Sequence, residues 1–325
     1  MSNRFLKRYI VFVTLFLITG AVALYYSLPD ISNHPTVKDA GIWDPPDISN
    51  LPNTAEAALV RYGKELIANT ALYLGPKGTV GTMSNGMNCQ NCHLQAGTRV
   101  NGNCFALVAC SYPKFKARSG LQESIEFRIN DCMERSLNGR KLDSNSREMR
   151  AFVSYLKWLG RDVPKKNELK GMGIPQLPFL SRAASPASGK TGYANKCQRC
   201  HGINGEGLLK SDSSGYLYPP LWGQNSYNMS AGIYLISKLA GYIKFNMPYT
   251  DFAQEPQVSD DEAWDIAAYI CSQPRPEKYF AADWPVKASK PVDYPFPPYA
   301  DSFSPIRHKF GPFAAIKKEK EKAGK

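Results

Sequence analysis

The sequence predicts a mainly α-helical protein made of two tandem domains behind an N-terminal apolar segment. Apolar residues recur at helical spacing in several segments, and no alternating apolar and polar run is long enough to define a sheet. The order of parts that follows residue 53 is repeated after residue 187, with a Pro-, Lys- and Ser-rich connector between the copies. The 325 residues, 43% of them hydrophobic, are enough for two cores of ordinary size.

Residues 1–28 open the chain. Arg4, Lys7 and Arg8 precede a run of mostly apolar residues from Tyr9 to Leu28. As a helix that run is long enough to cross a hydrocarbon core, with Tyr25 and Tyr26 at the outer interface. A signal peptide ending near Ala21-Val22-Ala23 satisfies the same rules. Both readings export the rest of the chain to an oxidising, periplasm-like compartment, anchored to the cytoplasmic membrane or soluble after cleavage. The formal charge of +12 suits an anionic partner. Much of the excess sits in runs at the N-terminus, at Lys165 and Lys166, and in the tail from Lys317, so no nucleic-acid partner is expected.

Residues 29–53 read as an extended lead-in rich in Pro, Asp and Asn. The first domain, 54–160, begins with a helical pattern after Thr54. It continues through CQNCH at 89–93 and the helix around Cys132, and closes on a helix from Ser146, a suitable N-cap, to Gly160, a stop. Residues 161–187 form the linker. The second domain, 188–275, repeats the scheme: a helical start, CQRCH at 197–201, the segments YPPLWG and NMPY, and a closing helix with SDDEAWDIAAYICSQ. Tyr155 and Trp158 in one closing helix match Trp264 and Tyr269 in the other. Residues 276–325 are rich in Pro and aromatics and are expected to wrap the surface, ending in a basic tail.

The two C-x-x-C-H motifs carry the chemistry. Such a segment attaches c-type haem: two thiols add to the vinyl groups and the following histidine becomes the proximal iron ligand. Cys89, Cys92 and His93 are assigned to one covalently bound haem c, and Cys197, Cys200 and His201 to a second. A shared zinc site does not explain a histidine directly after each pair in separate repeats. A thioredoxin-type motif would accompany a βαβ pattern, and none is visible. The fold class is therefore two cytochrome c-like haem domains in tandem, mainly α.

Four histidines exist in all, two already proximal, while His34 lies in the lead-in and His308 in the tail. Distal ligands are therefore sought among sulfur atoms. For the second iron, Met247 in NMPY precedes the closing helix and has Pro248 beside it; Met229 is the fallback. For the first, Cys132 and Met133 are the candidates. Arg128, Cys132 and Ser136 fall at i, i+4 and i+8 on one helix face, a setting in which the arginine favours the charged sulfur. Met133 points away, beside Ile129 and Leu137.

The segments CQNCHLQAGT, YPKFKARSG, RINDCMERSLNGRKL and EMRAFVSYLKWLG resemble the first domain of the dihaem cytochrome c thiosulfate dehydrogenases, some of which work chiefly as tetrathionate reductases. YPPLWG and NMPY are similar to the second domain, and the resemblance spans residues 55 to 275. It implies a His/Cys-ligated haem at the active site with Cys132 as axial ligand, Arg118, Arg128 and Ser136 lining the substrate pocket, and a second haem relaying electrons. In some members a lysine competes with methionine at the second iron; Lys244 is the nearby one. The implied substrates are thiosulfate and tetrathionate, and the implied redox partner is a periplasmic or membrane electron carrier such as another cytochrome c.

Two rivals share the motifs: a non-catalytic dihaem electron carrier, and a sulfur-oxidation complex subunit with an axial cysteine. A dihaem peroxidase is disfavoured by the scarcity of histidine. Of the remaining cysteines, Cys104 and Cys110 could close a small loop as a disulfide in an oxidising compartment, and Cys271 is expected as a buried apolar residue.

Overall fold

The computed structural model describes residues 43–163, 169–249 and 257–323. Residues 1–28, His34, Lys165 and Lys166 lie outside them. Among the described residues no helix is long and apolar enough to cross a membrane.

The first core is built on three helices. Helix α1 (Ala55–Ala68) starts at Thr54, whose hydroxyl accepts from the Ala57 amide at 3.3 Å. Helix α2 (Ile125–Arg135) is capped by Ser124 and carries Cys132. Helix α3 (Arg147–Leu159) runs from the Ser146 cap to Gly160, the limits its sequence predicts. Val60, Leu66 and Ile67 of α1 and Met149, Phe152 and Leu156 of α3 are buried in the same cluster. Burial of each such side chain stabilises by about 1.5–3 kcal/mol.

The second core repeats the plan. Helix α4 (Pro186–Lys196) follows the Ser185 cap, helix α5 (Ile236–Asn246) ends at Met247, and helix α6 (Asp260–Ser272) begins with a reciprocal capping box between Ser259 and Glu262. Packing in the two cores is alike in detail. Helix α1 lies along α3 so closely that a Cβ on Gly63 would meet the Ala151 carbonyl oxygen at 2.1 Å and the Tyr155 Cβ at 2.7 Å. Helix α4 lies along α6 in the same way: a Cβ on Gly189 would meet the Asp265 carbonyl oxygen at 1.8 Å and the Tyr269 Cβ at 2.9 Å.

Strands are present where the sequence predicts none. Strand β1 (Lys114–Lys116) pairs antiparallel with β2 (Leu121–Glu123), and β3 (Leu208–Leu209) with β4 (Tyr216–Tyr218). Each is too short for alternation to show. The C-terminal segment also does more than wrap. Helices α7 (Pro305–Phe310) and α8 (Ala314–Ala323) bring Phe313 and Ile316 into the second core, each at most 2% exposed. His308 is buried in this segment, far from being a free distal ligand: one ring nitrogen bonds the Val292 carbonyl at 2.8 Å and the other Asp301 at 3.0 Å.

Candidate active site

One cavity gathers most of the residues singled out in the first domain. Cys89, Cys92, His93, Arg128, Cys132 and Ser136 line it together with Met133, Tyr112 and Phe105. Its empty volume, counting the space at its mouth, is about 1100 Å³, at the upper end for a cofactor site. The His93 ring stacks on Phe105 with centroids 4.1 Å apart, and its Nδ1 donates to the Asn103 carbonyl at 2.7 Å. That bond fixes the tautomer and leaves the lone pair on Nε2. Burial lowers the ring's pKa to about 4, so it is neutral, as a metal ligand must be. Burial also pushes the thiols of Cys89 and Cys92 up to about 12, with Cys132 acting on both through its charge.

Helix α2 forms a wall of this cavity. Arg128, Cys132 and Ser136 all reach it, as their shared face requires. Met133 lines it too, but is 1% exposed and locked into the first core with Leu137. The electrostatics depart from the expectation of a ready thiolate. Burial raises the Cys132 thiol, and Arg128, with smaller help from Arg118 and Arg135, pulls it down without prevailing. Burial is the main reason, and Asp131, which pairs with Arg128, adds to it. Arg128 in turn is held charged, chiefly by Cys132.

Asp131 is the residue the sequence reading missed. Buried at 9% exposure, it pairs with Arg128 and Arg135 on its own helix and lies 3.9 Å from Arg118. The signal was available, because residues at i−3 and i+4 from an aspartate share its face. Arg118 is not in the cavity wall. Its guanidinium donates to the Ser230 carbonyl at 3.3 Å and reaches the site through Asp131.

In the second domain the His201 Nδ1 donates to the Pro219 carbonyl at 2.9 Å, which leaves the lone pair on Nε2, and burial disfavours the charged ring. Cys197, Met229 and Met247 pack against the second core, Met247 at the C-terminal end of α5. Met229 accepts a weak bond from the Tyr279 hydroxyl at 3.9 Å. Lys244 is otherwise engaged, donating to the Val258 carbonyl at 2.9 Å and paired with Asp260 at 3.0 Å. Next to this core, Arg275 is 7% exposed; it donates to the Ile270 carbonyl at 2.7 Å and lies over the Tyr227 and Tyr234 rings. The two histidines, each with Nδ1 held by a backbone carbonyl, and the thiol pairs beside them fit haem c.

The expected disulfide is not formed. The Cys104 thiol turns to the Thr98 carbonyl and the Cys110 thiol to that of Leu107, so both remain free. Cys271 is buried, its thiol on the Tyr234 carbonyl at 3.4 Å.

Comparison with known proteins decides the family. Residues 80–164 match the SoxA/TsdA cytochrome c domain and residues 186–274 the cytochrome c domain. A thiosulfate dehydrogenase from Allochromatium vinosum is 35% identical over 71% of this chain and 83% of its own length. The chain belongs to the thiosulfate dehydrogenase family. A second member, from Psychrobacter arcticus, is 36% identical over 81% of this chain and 73% of its own. Among solved structures, thiosulfate dehydrogenase (TsdBA) from Marichromatium purpuratum in its as-isolated form aligns with a TM-score of 0.69 at 29% identity. That alignment covers 79% of this chain and 54% of the other, so the chain spans about half of that longer protein. As a thiosulfate dehydrogenase, the protein is an oxidoreductase of two cytochrome c domains carrying two haem c groups.

Proposed function

We propose that the first domain, 54–160, is the catalytic one, and that it interconverts two thiosulfates and one tetrathionate with Cys132 as the reacting thiol. The observation that supports this reading is the single cavity shared by Cys89, Cys92, His93, Cys132, Arg128 and Ser136. His93 and Cys132 would hold the first iron, and His201 and Met247 the second, in domain 188–275. When bound, the two haems would supply the pair of one-electron acceptors or donors the reaction requires, while Arg128 favours the charged form of the Cys132 sulfur.

The residues themselves do the rest. Two thiosulfate dianions repel each other, and Arg128, with Arg118 behind Asp131, offsets that repulsion and orients sulfonate oxygens. Ser136 donates to one of them. The Cys132 thiolate joins the terminal sulfur of one thiosulfate with loss of two electrons, giving a cysteine S-thiosulfonate of single negative charge. The terminal sulfur of the second thiosulfate then attacks that adduct, releasing tetrathionate and restoring the thiolate. Run backwards, the same steps reduce tetrathionate.

The exported location follows from residues 1–28, as an uncleaved anchor to the cytoplasmic membrane or a removed signal peptide, with a cytochrome c-type carrier as redox partner. The test is direct: mix the purified dihaem protein with thiosulfate and follow haem reduction, then add tetrathionate to the reduced protein. The expected result is reduction by the first and reoxidation by the second. A plain electron carrier does neither at a useful rate.

A further inference from the structure

We propose that Asp283, in the strap that follows the second domain, is a positioning residue for Arg128, the substrate-binding arginine of the first. This rests on Arg128 being a substrate ligand, as argued above.

After α6 the chain crosses back to the first core. Asp283 Oδ2 and Oδ1 accept from the two terminal nitrogens of Arg135, each at 2.7 Å, a bidentate pair with side chains 7% and 11% exposed. The Arg135 guanidinium lies over the Phe280 ring, 3.8 Å from its centroid. One residue further on, the Trp284 amide donates to the Arg118 carbonyl at 2.6 Å, and the Arg118 guanidinium sits 5.8 Å from the Trp284 ring. Pro285 is seated on the β1–β2 turn at Gly120. Arg118 and Arg135 are thus both held from the strap, Arg118 by Trp284 and Arg135 by Asp283 and Phe280.

Arg135 has its Nε on Asp131 and its terminal nitrogens on Asp283, so it has little left to offer a substrate. It works as a strut. Asp131 divides its two oxygens between Arg135 and Arg128. Because Asp283 satisfies Arg135 independently, Asp131 can hold Arg128 in place. Remove the Asp283 charge, and Arg135 is a buried cation with Asp131 as its one remaining carboxylate. Asp131 is then drawn toward Arg135, and Arg128 loses its orientation over the thiol. The family's domain matches end at residue 274, so this residue is supplied from outside both haem domains.

The test uses the dihaem protein with Asp283→Asn, Asp283→Glu and Arg128→Gln, measuring steady-state thiosulfate kinetics beside haem reduction by ascorbate, which needs no anion-orienting arginine. In Asp283→Asn, kcat/KM for thiosulfate should fall about tenfold, the cost of a small misplacement, with most of the loss in KM and the ascorbate rate unchanged. Asp283→Glu keeps the charge but shifts Arg135 through its longer side chain, so it should recover part of the loss while KM stays above wild type. Wild-type kinetics in Asp283→Asn, or parallel losses with thiosulfate and ascorbate that Glu does not relieve, overturn the inference. If the Asn variant does not accumulate, a thiosulfate KM in Asp283→Glu identical to wild type overturns it, since the longer side chain must move Arg135. Unaltered kinetics in Arg128→Gln sink the functional reading itself; loss there alongside an intact Asp283→Asn sinks this inference alone.

Discussion

Tyr242 donates its phenol hydrogen to the carbonyl of Asn91 at 2.9 Å, and Asn91 lies inside the first C-x-x-C-H motif. Tyr242 sits on α5, the helix that ends at Met247, so one hydrogen bond joins a helix of the second domain to the C-x-x-C-H loop of the first. Two more bonds reinforce the seam, from Asn246 to the Asn101 carbonyl at 3.0 Å and from Asn85 to the Ser226 carbonyl at 3.0 Å. Tyr242 is 6% exposed, so Tyr242→Phe leaves the half-buried Asn91 carbonyl without this donor. The expected cost is about 1–3 kcal/mol of unfolding free energy. Denaturant titration of the dihaem protein checks it; an unchanged midpoint refutes the role of this bond.

Cys132→Ala should lower thiosulfate turnover at least about a hundredfold, within what removal of a reacting side chain costs. Both haems should stay attached, because Cys89, Cys92, Cys197 and Cys200 are untouched. The low-temperature EPR spectrum of the oxidised protein should lose the signature of a thiolate-bound ferric haem. If the wild-type and variant spectra coincide, Met133 or another group caps that iron and the mechanism above fails.

Much of this architecture was legible because helices announce themselves. Thr54, Ser146 and Gly160 bound α1 and α3 where capping chemistry places them, and the helix face of Arg128, Cys132 and Ser136 translated directly into a cavity wall. What stayed hidden depends on distant chain segments. Nothing local to Asp283 says that it meets Arg135, 148 residues away. The thiolate expected from Arg128 was overestimated because sequence shows the arginine but not the burial of the Cys132 thiol, the main cause that raises it, nor Asp131 beside it, which adds to that rise. Cys104 and Cys110 have a spacing that permits a disulfide, yet each thiol turned to its own nearby carbonyl.

Alkaline stability should report on Tyr227. Burial pushes its phenol up to about 12, against an ordinary value of 10.0. The folded protein therefore keeps this proton after the unfolded chain has released it. Its contribution is fully present below pH 10 and is lost as pH rises toward 12. One such group changes stability by about 1.4 kcal/mol per pH unit across that window. Tyr227→Phe should flatten the fall of unfolding free energy between pH 10 and 12 by about that slope, read from denaturant titrations at several pH values. Identical slopes in both proteins would show that the phenol is not shielded.

The two helix crossings make the last prediction. Gly63 on α1 faces the Ala151 carbonyl and Tyr155 on α3, while Gly189 on α4 faces the Asp265 carbonyl and Tyr269 on α6. In each pair the atom a new methyl meets first is a backbone oxygen, at 2.1 Å and 1.8 Å. A flexible side chain could turn aside; a helix backbone cannot do so without parting the two helices. The usual gain of Gly→Ala within a helix, about 1 kcal/mol, is therefore outweighed by overpacking of about 1–3 kcal/mol or more. Gly63→Ala and Gly189→Ala should each destabilise the protein, and each should loosen its own haem domain first. Thermal unfolding followed at the haem absorbance, with the EPR signals of the two irons as separate reporters, checks both parts. Stabilisation by either alanine would mean that the crossing is looser than its geometry requires, and that the tyrosine one turn beyond, Tyr155 or Tyr269, does not sit at a fixed contact between paired helices.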